Sequence, residues 1–223
     1  MFYVALAIIP GLLLLVFIYT RDQLHPEPKR QVFRLFILGA AIVLPAGVIE
    51  RLMMNSRGFT EGGIEGRLIT AFFVAGMIEE FLKASIFDRG VYQSHLVRRP
   101  VDCIVYAAAI GLGFATVENV MYVTSSGLMT AIVRSVTAVP AHFMFAIIMG
   151  YWFSKAKFRG SPKALAYIIP ACVHGIYDTF ALSSTVVADL VLVFFLLFLV
   201  ETSARIMKRV RTATNGTATR YAT

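Results

Sequence analysis

The fold is decided first by residues 2–19, which read FYVALAIIPGLLLLVFIY and contain no charged side chain. An apolar run of this length is close to the roughly 20 residues that a helix needs to cross a bilayer. No basic region precedes the run and no small-residue cleavage site follows it, unlike a secretory signal peptide. We therefore expect residues 2–19 to form a retained first membrane span.

The whole chain has the composition of a polytopic membrane protein. Of its 223 residues, 58% are hydrophobic and 15% charged, whereas soluble domains contain about 45–50% apolar and about 25% charged residues. A mean hydropathy of +0.73 excludes an intrinsically disordered chain. Further apolar windows occur near 32–50, 67–87, 101–123, 130–153, 163–182 and 185–204. The sequence therefore predicts an all-α bundle of about seven transmembrane helices.

The net charge of +8 reflects membrane orientation, because the Lys and Arg residues lie mainly between the apolar windows. With an external amino terminus, the inner connections hold fifteen of the 21 Lys and Arg residues, and the outer ones hold only Arg51, Arg57 and Arg67. The positive-inside rule then predicts a cytoplasmic carboxyl terminus, and no nucleic-acid partner is expected. We expect one membrane domain over residues 1–206 and a disordered cytoplasmic tail over residues 207–223.

Several polar side chains lie inside the predicted spans, where each charged group costs roughly 2.5–3.5 kcal/mol to insert. Such residues mark functional sites by default, although hydrogen bonding between helices is the structural alternative. They are Glu79, Glu80, Lys83, Glu118, Asn119, His142, His174 and Asp178.

The spacing of these residues indicates which of them pair. Glu79 and Lys83 are four residues apart and share a helix face. A structural ion pair needs only one acid, whereas the adjacent acids Glu79 and Glu80 suit acid–base catalysis. Asp178 lies one turn from His174 and can orient it as a hydrogen-bond acceptor.

Depth in the membrane decides whether these residues can form one site. At about 1.5 Å per residue, Glu80 and the two histidines lie roughly 12–17 Å from the cytoplasmic ends of their predicted helices. Glu118 comes out near 25 Å on the same scale. It can join the histidines only if its helix begins later, tilts or bends, for example at Gly111 or Gly113.

Four motifs follow one another along the chain: Glu79-Glu80-x-x-Lys83, Phe114-x-x-x-Glu118-Asn119, His142-x-x-x-Ala146 and His174-Gly175-x-Tyr177-Asp178. With the segment Asp22–Pro28 (D-x-x-x-P-E-P), they resemble the PrsW-type intramembrane proteases, relatives of the CAAX prenyl endopeptidases and the bacterial CPBP group. The resemblance implies an endopeptidase of the prokaryotic plasma membrane. Its substrate would be a membrane-anchored protein such as an anti-sigma factor, cleaved as the first step of regulated proteolysis. The CAAX relatives carry His where this chain has Glu118, so prenylated substrates are not implied.

The resemblance also implies roles for the site residues. Glu118, His142 and His174 would hold a metal ion, with zinc expected because it accepts nitrogen and oxygen donors in catalytic sites. Glu79 or Glu80 would be the general base that activates water. A supporting role is expected for Lys83, Phe114, Asn119 and Asp178. A scheme without metal stays open, in which a glutamate activates water and the histidines stabilise the oxyanion.

Other chemistries fit the sequence less well. It contains no HExxH, GxSxG or C-x-x-C motif. The paired-aspartate proteases need a second aspartate, but Gly111-Leu112-Gly113 is followed by Phe114. A proton- or cation-coupled transporter is an alternative, because buried Glu and His residues also form proton relays. A haem-binding electron carrier with axial ligands His142 and His174 is another, although it leaves the carboxylates unexplained.

Overall fold

The computed structural model describes residues 2–21, 27–55, 76–183 and 185–220, together with single positions at 66, 72 and 74. Within these ranges the chain is helical and contains no β-strand. A π-helical turn over Asp88–Tyr92 follows the fourth helix. The α-helices are α1 (Phe2–Thr20), α2 (Lys29–Ala41), α3 (Val43–Asn55), α4 (Met77–Phe87), α5 (Pro100–Ser126), α6 (Leu128–Val136), α7 (Ala138–Arg159), α8 (Leu165–Ala181) and α9 (Val186–Arg220).

The helices coincide with the apolar windows of the sequence. Five helical stretches in the described part of the chain are long and apolar enough to cross a membrane, namely Tyr3–Thr20, Lys29–Asn55, Pro100–Ser126, Leu128–Arg159 and Val186–Thr214. The window at 163–182 corresponds to α8, which has 17 residues. The window at 67–87 is described continuously only from residue 76, and Arg57 and Arg67 lie outside the described residues. The all-helical membrane fold is thus confirmed, whereas the count of seven spans and the orientation of the termini stay predictions.

Helix α5 lies at the centre of the bundle and packs against α1, α2 and α7. It is buried along its first four turns. Gly113 allows the close approach of α2, because a Cβ at this position would overlap the carbonyl oxygen of Phe36. A Cβ on Gly39 would likewise overlap the carbonyl oxygen of Ile110. Small residues at such crossings are typical of membrane helices, and here they bring α5 and its Glu118 into the interior.

A polar network fixes the start of α5. Asp102 accepts hydrogen bonds from the backbone N–H groups of Arg98 and Arg99, at 2.9 and 2.8 Å. Its carboxylate also pairs with the Arg99 guanidinium at 2.7 Å. The buried carboxylate of Glu27 lies 3.6 Å from the same guanidinium. The contact between Arg99 and Glu27 joins the end of the D-x-x-x-P-E-P segment to the start of α5. Residues 22–26 of that segment lie outside the described residues.

Helix α7 extends well beyond its predicted span. α7 continues past residue 153 to Arg159 and ends at Gly160, which adopts a left-handed φ of 69°. His142 therefore lies about 26 Å from the end of α7, and Glu118 lies about 27 Å from the start of α5. The expected difference in depth between Glu118 and His142 disappears without a later start of α5, because α7 is longer than its apolar window.

The last helix, α9, reaches Arg220 and so enters the segment whose composition predicts disorder. A helix that is already nucleated within a span can propagate into polar sequence at little cost. The division into a membrane domain over residues 1–206 and a tail over residues 207–223 stays a prediction.

Candidate active site

Helix α4 supplies two carboxylates and one ammonium group to a buried cluster. Glu79, Glu80 and Lys83 are 5%, 1% and 1% exposed. Lys83 Nζ donates to Glu79 Oε2 at 3.0 Å and to Glu80 Oε1 at 2.8 Å. The spacing predicted the first of these pairs, and the second adds an i,i+3 contact. One ammonium group thus binds both carboxylates of the Glu79-Glu80-x-x-Lys83 motif.

His142 on α7 joins this cluster to Glu118 on α5. Its Nδ1 lies 3.2 Å from Lys83 Nζ, and its Nε2 lies 2.8 Å from Glu118 Oε2. Because an ammonium group can only donate, Nδ1 accepts and Nε2 carries the proton given to Glu118. A Cβ on Gly111 would lie 2.7 Å from the Ala146 Cβ, so small residues at both positions let α5 and α7 meet.

His174 on α8 completes the cluster from the other side. Its Nδ1 lies 3.1 Å from Glu80 Oε1, and its Nε2 lies 3.4 Å from Asp178 Oδ2. The His142 and His174 ring centroids are 4.9 Å apart, and the Phe145 ring stacks on His174 at 4.7 Å. Each imidazole therefore directs its Nδ1 atom to a charged side chain of α4. Its Nε2 atom is directed to a carboxylate that lies on a helix other than α4.

Four of these residues converge closely enough to bind one ion. One ligand atom from each of Glu79, Glu80, His142 and His174 lies within 4.8 Å of the others. The Glu80 Oε2 atom is buried and has no hydrogen-bond partner in the described ranges. The cluster already surrounds one cationic group, the Lys83 ammonium. Carboxylate and imidazole donors in this arrangement fit a metal ion.

Comparison with protein families matches residues 27–202 to the PrsW family intramembrane metalloproteases. The chain belongs to this family. Bacterial relatives of this chain carry the name protease PrsW. The protein of Oceanobacillus iheyensis is 38% identical over 77% of this chain and 79% of its own length. The proteins of Geobacillus kaustophilus and Bacillus subtilis are each 34% identical, over 78% of this chain and 77% and 80% of their own lengths. No solved structure matches the chain.

Membership of the PrsW family confirms the main functional expectation from the sequence. The chain is an intramembrane protease of a metalloprotease family, located in the cell membrane. Such an enzyme acts within a lipid environment on a protein substrate embedded in the membrane. The roles of the individual site residues stay predictions.

Sequence reasoning missed Arg134 on α6, which lies against two motif residues. Its Nη2 is 2.9 Å from Glu118 Oε2, and its Nε donates to Asn119 Oδ1 at 3.2 Å. Asn119 in turn donates to the Ala7 carbonyl at 3.0 Å, which links α5 to α1. Arg134 is the only cation within the predicted span 130–153, so its insertion cost was the signal that could have found it.

Glu50 on α3 is a second residue that sequence reasoning missed. Its Oε1 is buried without a hydrogen-bond partner among the described residues. It lies within electrostatic range of Glu118, Lys83 and His174. It is the last residue of the predicted span 32–50, whereas α3 continues to Asn55, so Glu50 lies within this helix and is half-buried.

The cluster has a closed side and a partly open side. The side chains of Glu118, Arg134 and Asp178 are 16–18% exposed, whereas those of Glu80 and Lys83 are only 1–2% exposed. The Phe114 ring lies 3.9 Å from Lys83 Nζ and covers the ammonium group. The cluster is therefore most accessible beside Glu118 and Asp178, the carboxylates that contact the Nε2 atoms of the two histidines.

Proposed function

We propose that this PrsW-family protease cleaves a membrane-anchored protein, such as an anti-sigma factor, as the first step of regulated proteolysis. In this proposal Glu79 or Glu80 is the general base and zinc is the metal. The observation that supports it is the convergence of two carboxylates and two imidazoles inside a bundle of apolar helices. Burial of so many ionisable groups is costly in a membrane and points to chemistry.

Each of the two ring nitrogens of His142 faces a different set of residues that would hold zinc. The set expected from the family motifs is Glu118, His142 and His174, with Glu118 on the Nε2 side of His142. A second set, favoured by the 4.8 Å convergence, is Glu79, Glu80, His142 and His174, on the Nδ1 side. In that case Glu118 would orient His142 through its Nε2–H, as carboxylates commonly do for metal-bound histidines. When bound, zinc supplies a Lewis acid and lowers the cost of deprotonating water.

The chain's own residues account for the proton transfers. With the first ligand set, in which neither Glu79 nor Glu80 binds the metal, a carboxylate of one of them takes the proton of the attacking water and returns it to the leaving amine nitrogen. Lys83 holds both carboxylates at hydrogen-bond distance and so fixes their orientation. With the second ligand set, Glu118 keeps the proton of His142 on Nε2. In either set the rings of Phe114 and Phe145 pack against the imidazoles and limit the entry of bulk water.

The test is to measure zinc content and cleavage together on protein purified in detergent. Wild type is compared with Glu118→Gln and Glu79→Gln, and Glu201→Gln is the matched control because Glu201 is exposed on α9 and pairs with Arg205. Loss of zinc in Glu118→Gln alone supports the first ligand set, and loss in Glu79→Gln alone supports the second. Full cleavage of a single-pass substrate by protein with far less than one metal per chain would refute the metal assignment.

We also propose seven membrane spans with an external amino terminus and a cytoplasmic carboxyl terminus. The asymmetry of the Lys and Arg residues supports this topology. It is supported further by the grouping of Arg21, Arg159 and Lys208, from α1, α7 and α9, around two adjoining cavities at one end of the bundle.

A further inference from the structure

A groove with apolar walls runs between α1, α7 and α9, on the opposite side of α7 from most of the polar cluster. It encloses a cavity of about 660 Å³. The Arg21 guanidinium lies 4.4 Å from the centre of the Phe17 ring, and Phe17 packs edge-on against Phe143. The apolar lining includes Leu14, Phe17, Phe143, Ile147, Val200 and Met207.

One end of this groove is strongly cationic. Arg21, Lys208 and Arg211 line it, and no Asp or Glu is among the lining residues that the structure describes. None of the three cations pairs with a carboxylate in the described part of the chain. A second cavity of about 700 Å³ adjoins the groove through Lys208 and Thr212, and its described lining residues likewise include no Asp or Glu. The further cations of this second cavity are Lys155, Arg159, Arg205 and Arg209.

A buried hydroxyl group lies below the cations. Ser203 lines the groove, is 5% exposed, and its Oγ has no hydrogen-bond partner among the described residues. It precedes Lys208 by five residues on α9, which places it about 7.5 Å deeper along the helix. The groove therefore offers cations at its mouth, one hydrogen-bond donor beneath them and an apolar wall beyond.

We propose that this groove binds one anionic phospholipid. The phosphate would lie at Arg21, Lys208 and Arg211, an ester carbonyl would accept from Ser203 Oγ, and an acyl chain would cover the apolar wall. Charge complementarity selects an anionic headgroup, because basic pockets between membrane helices bind such lipids on the cytoplasmic face. From its mouth inward, the groove presents the cations, then the hydroxyl group and then the apolar wall. A phospholipid carries its phosphate, ester carbonyl and acyl chain in the same order, whereas a soluble phosphate has only the first of these groups.

The site adjoins the helix that carries a predicted zinc ligand. Pro140 and Phe143, which line the groove, are two and one residues from His142 on α7. A bound lipid would connect α1, α7 and α9 through one molecule. We therefore expect phosphatidylglycerol to raise the melting temperature of the purified protein.

The test uses delipidated full-length protein in neutral detergent, with phosphatidylglycerol and phosphatidylcholine as probes and native mass spectrometry as the readout. The triple variant Arg21→Gln/Lys208→Gln/Arg211→Gln removes the cationic mouth. The matched control Lys29→Gln/Arg30→Gln/Arg34→Gln removes three exposed cations on α2, outside both cavities. Each lost cation is expected to weaken phosphatidylglycerol binding about fivefold, or about a hundredfold for the triple variant, whereas the control binds as wild type.

Three results would overturn the proposal: equal wild-type affinity for the two lipids, unchanged phosphatidylglycerol binding by the triple variant, or full competition by soluble glycerol phosphate. Should the triple variant fail to fold, Lys208→Gln alone provides the test, with a loss of about fivefold expected. Unchanged affinity of that single variant also overturns the proposal.

Discussion

Replacing Lys83 by methionine is the sharpest test of the electrostatics of the cluster. Methionine keeps the length and apolar stem of the side chain but removes the ammonium group. That group contacts Glu79 at 3.0 Å, Glu80 at 2.8 Å and His142 Nδ1 at 3.2 Å, in a position that is 1% exposed. The substitution leaves two adjacent carboxylates buried without the cation that holds them.

The expected loss of stability is large. Removing one partner of a buried ion pair costs about 3–5 kcal/mol, because the remaining charge is left uncompensated. For a chain of this size each kcal/mol changes the melting temperature by about 2–4 °C, so we expect a decrease of roughly 6–20 °C. The neutral triple variant Glu79→Gln/Glu80→Gln/Lys83→Met should recover most of this loss, since the uncompensated charges are gone.

Thermal unfolding of purified protein in detergent measures the effect, with the fluorescence of the single tryptophan, Trp152, as the signal. Lys29→Met is the matched control, because Lys29 is exposed on α2 and its loss should change the melting temperature by no more than about 2 °C. A Lys83→Met protein with the same melting temperature as this control would refute the reasoning. So would a triple variant no more stable than Lys83→Met.

Four further predictions concern activity and topology. Proteolysis should be abolished, with the fold retained, in each of Glu79→Gln, Glu80→Gln, Glu118→Gln, His142→Ala and His174→Ala, and wild-type turnover in any two would contradict a shared site. Asp178→Asn should reduce turnover by only about 10–100-fold, as measured for partners that orient a metal-bound histidine; complete loss would give Asp178 a direct role. Chelation by 1,10-phenanthroline should inhibit cleavage, and added Zn²⁺ should restore activity. Acidification should also inhibit cleavage, because metal ligation needs neutral imidazoles and ionised carboxylates. A carboxyl-terminal reporter fusion should report the cytoplasm; with the amino terminus external, an external signal would mean that the number of spans is even.

Contacts within one helix were accessible from the sequence. The Glu79–Lys83 pair and the approach of Asp178 to His174 both follow from the i,i+4 spacing, and both occur at short distance in the structure. The apolar windows likewise correspond to helices. Local periodicity determines these features, so no knowledge of the tertiary arrangement was needed.

Contacts between helices were less accessible. The depth of His142 was underestimated because α7 extends to Arg159, and no apolar window reports that polar extension. Its contact with Glu118 comes from the close packing of α5 and α7. The pairing of Arg134 with Glu118 depends on the crossing of α5 and α6. Glu50 lay at the edge of its apolar window, but α3 continues to Asn55 and so contains Glu50 well before its end. Hydropathy locates the membrane-crossing segments of helices but not their ends or their mutual register.

The charges of the cluster give a physical reason for a metal ion at this site. Four carboxylates contact the histidines or Lys83, and they belong to Glu79, Glu80, Glu118 and Asp178. Among the described residues, only two cationic side chains pair with these carboxylates, namely Lys83 and Arg134. With all four carboxylates ionised and both imidazoles neutral, the cluster carries two excess negative charges, which a divalent cation would balance. Acidification would remove the same excess by adding protons, so protons and the metal compete for one set of groups. Inhibition at low pH should therefore shift to lower pH as the Zn²⁺ concentration is raised.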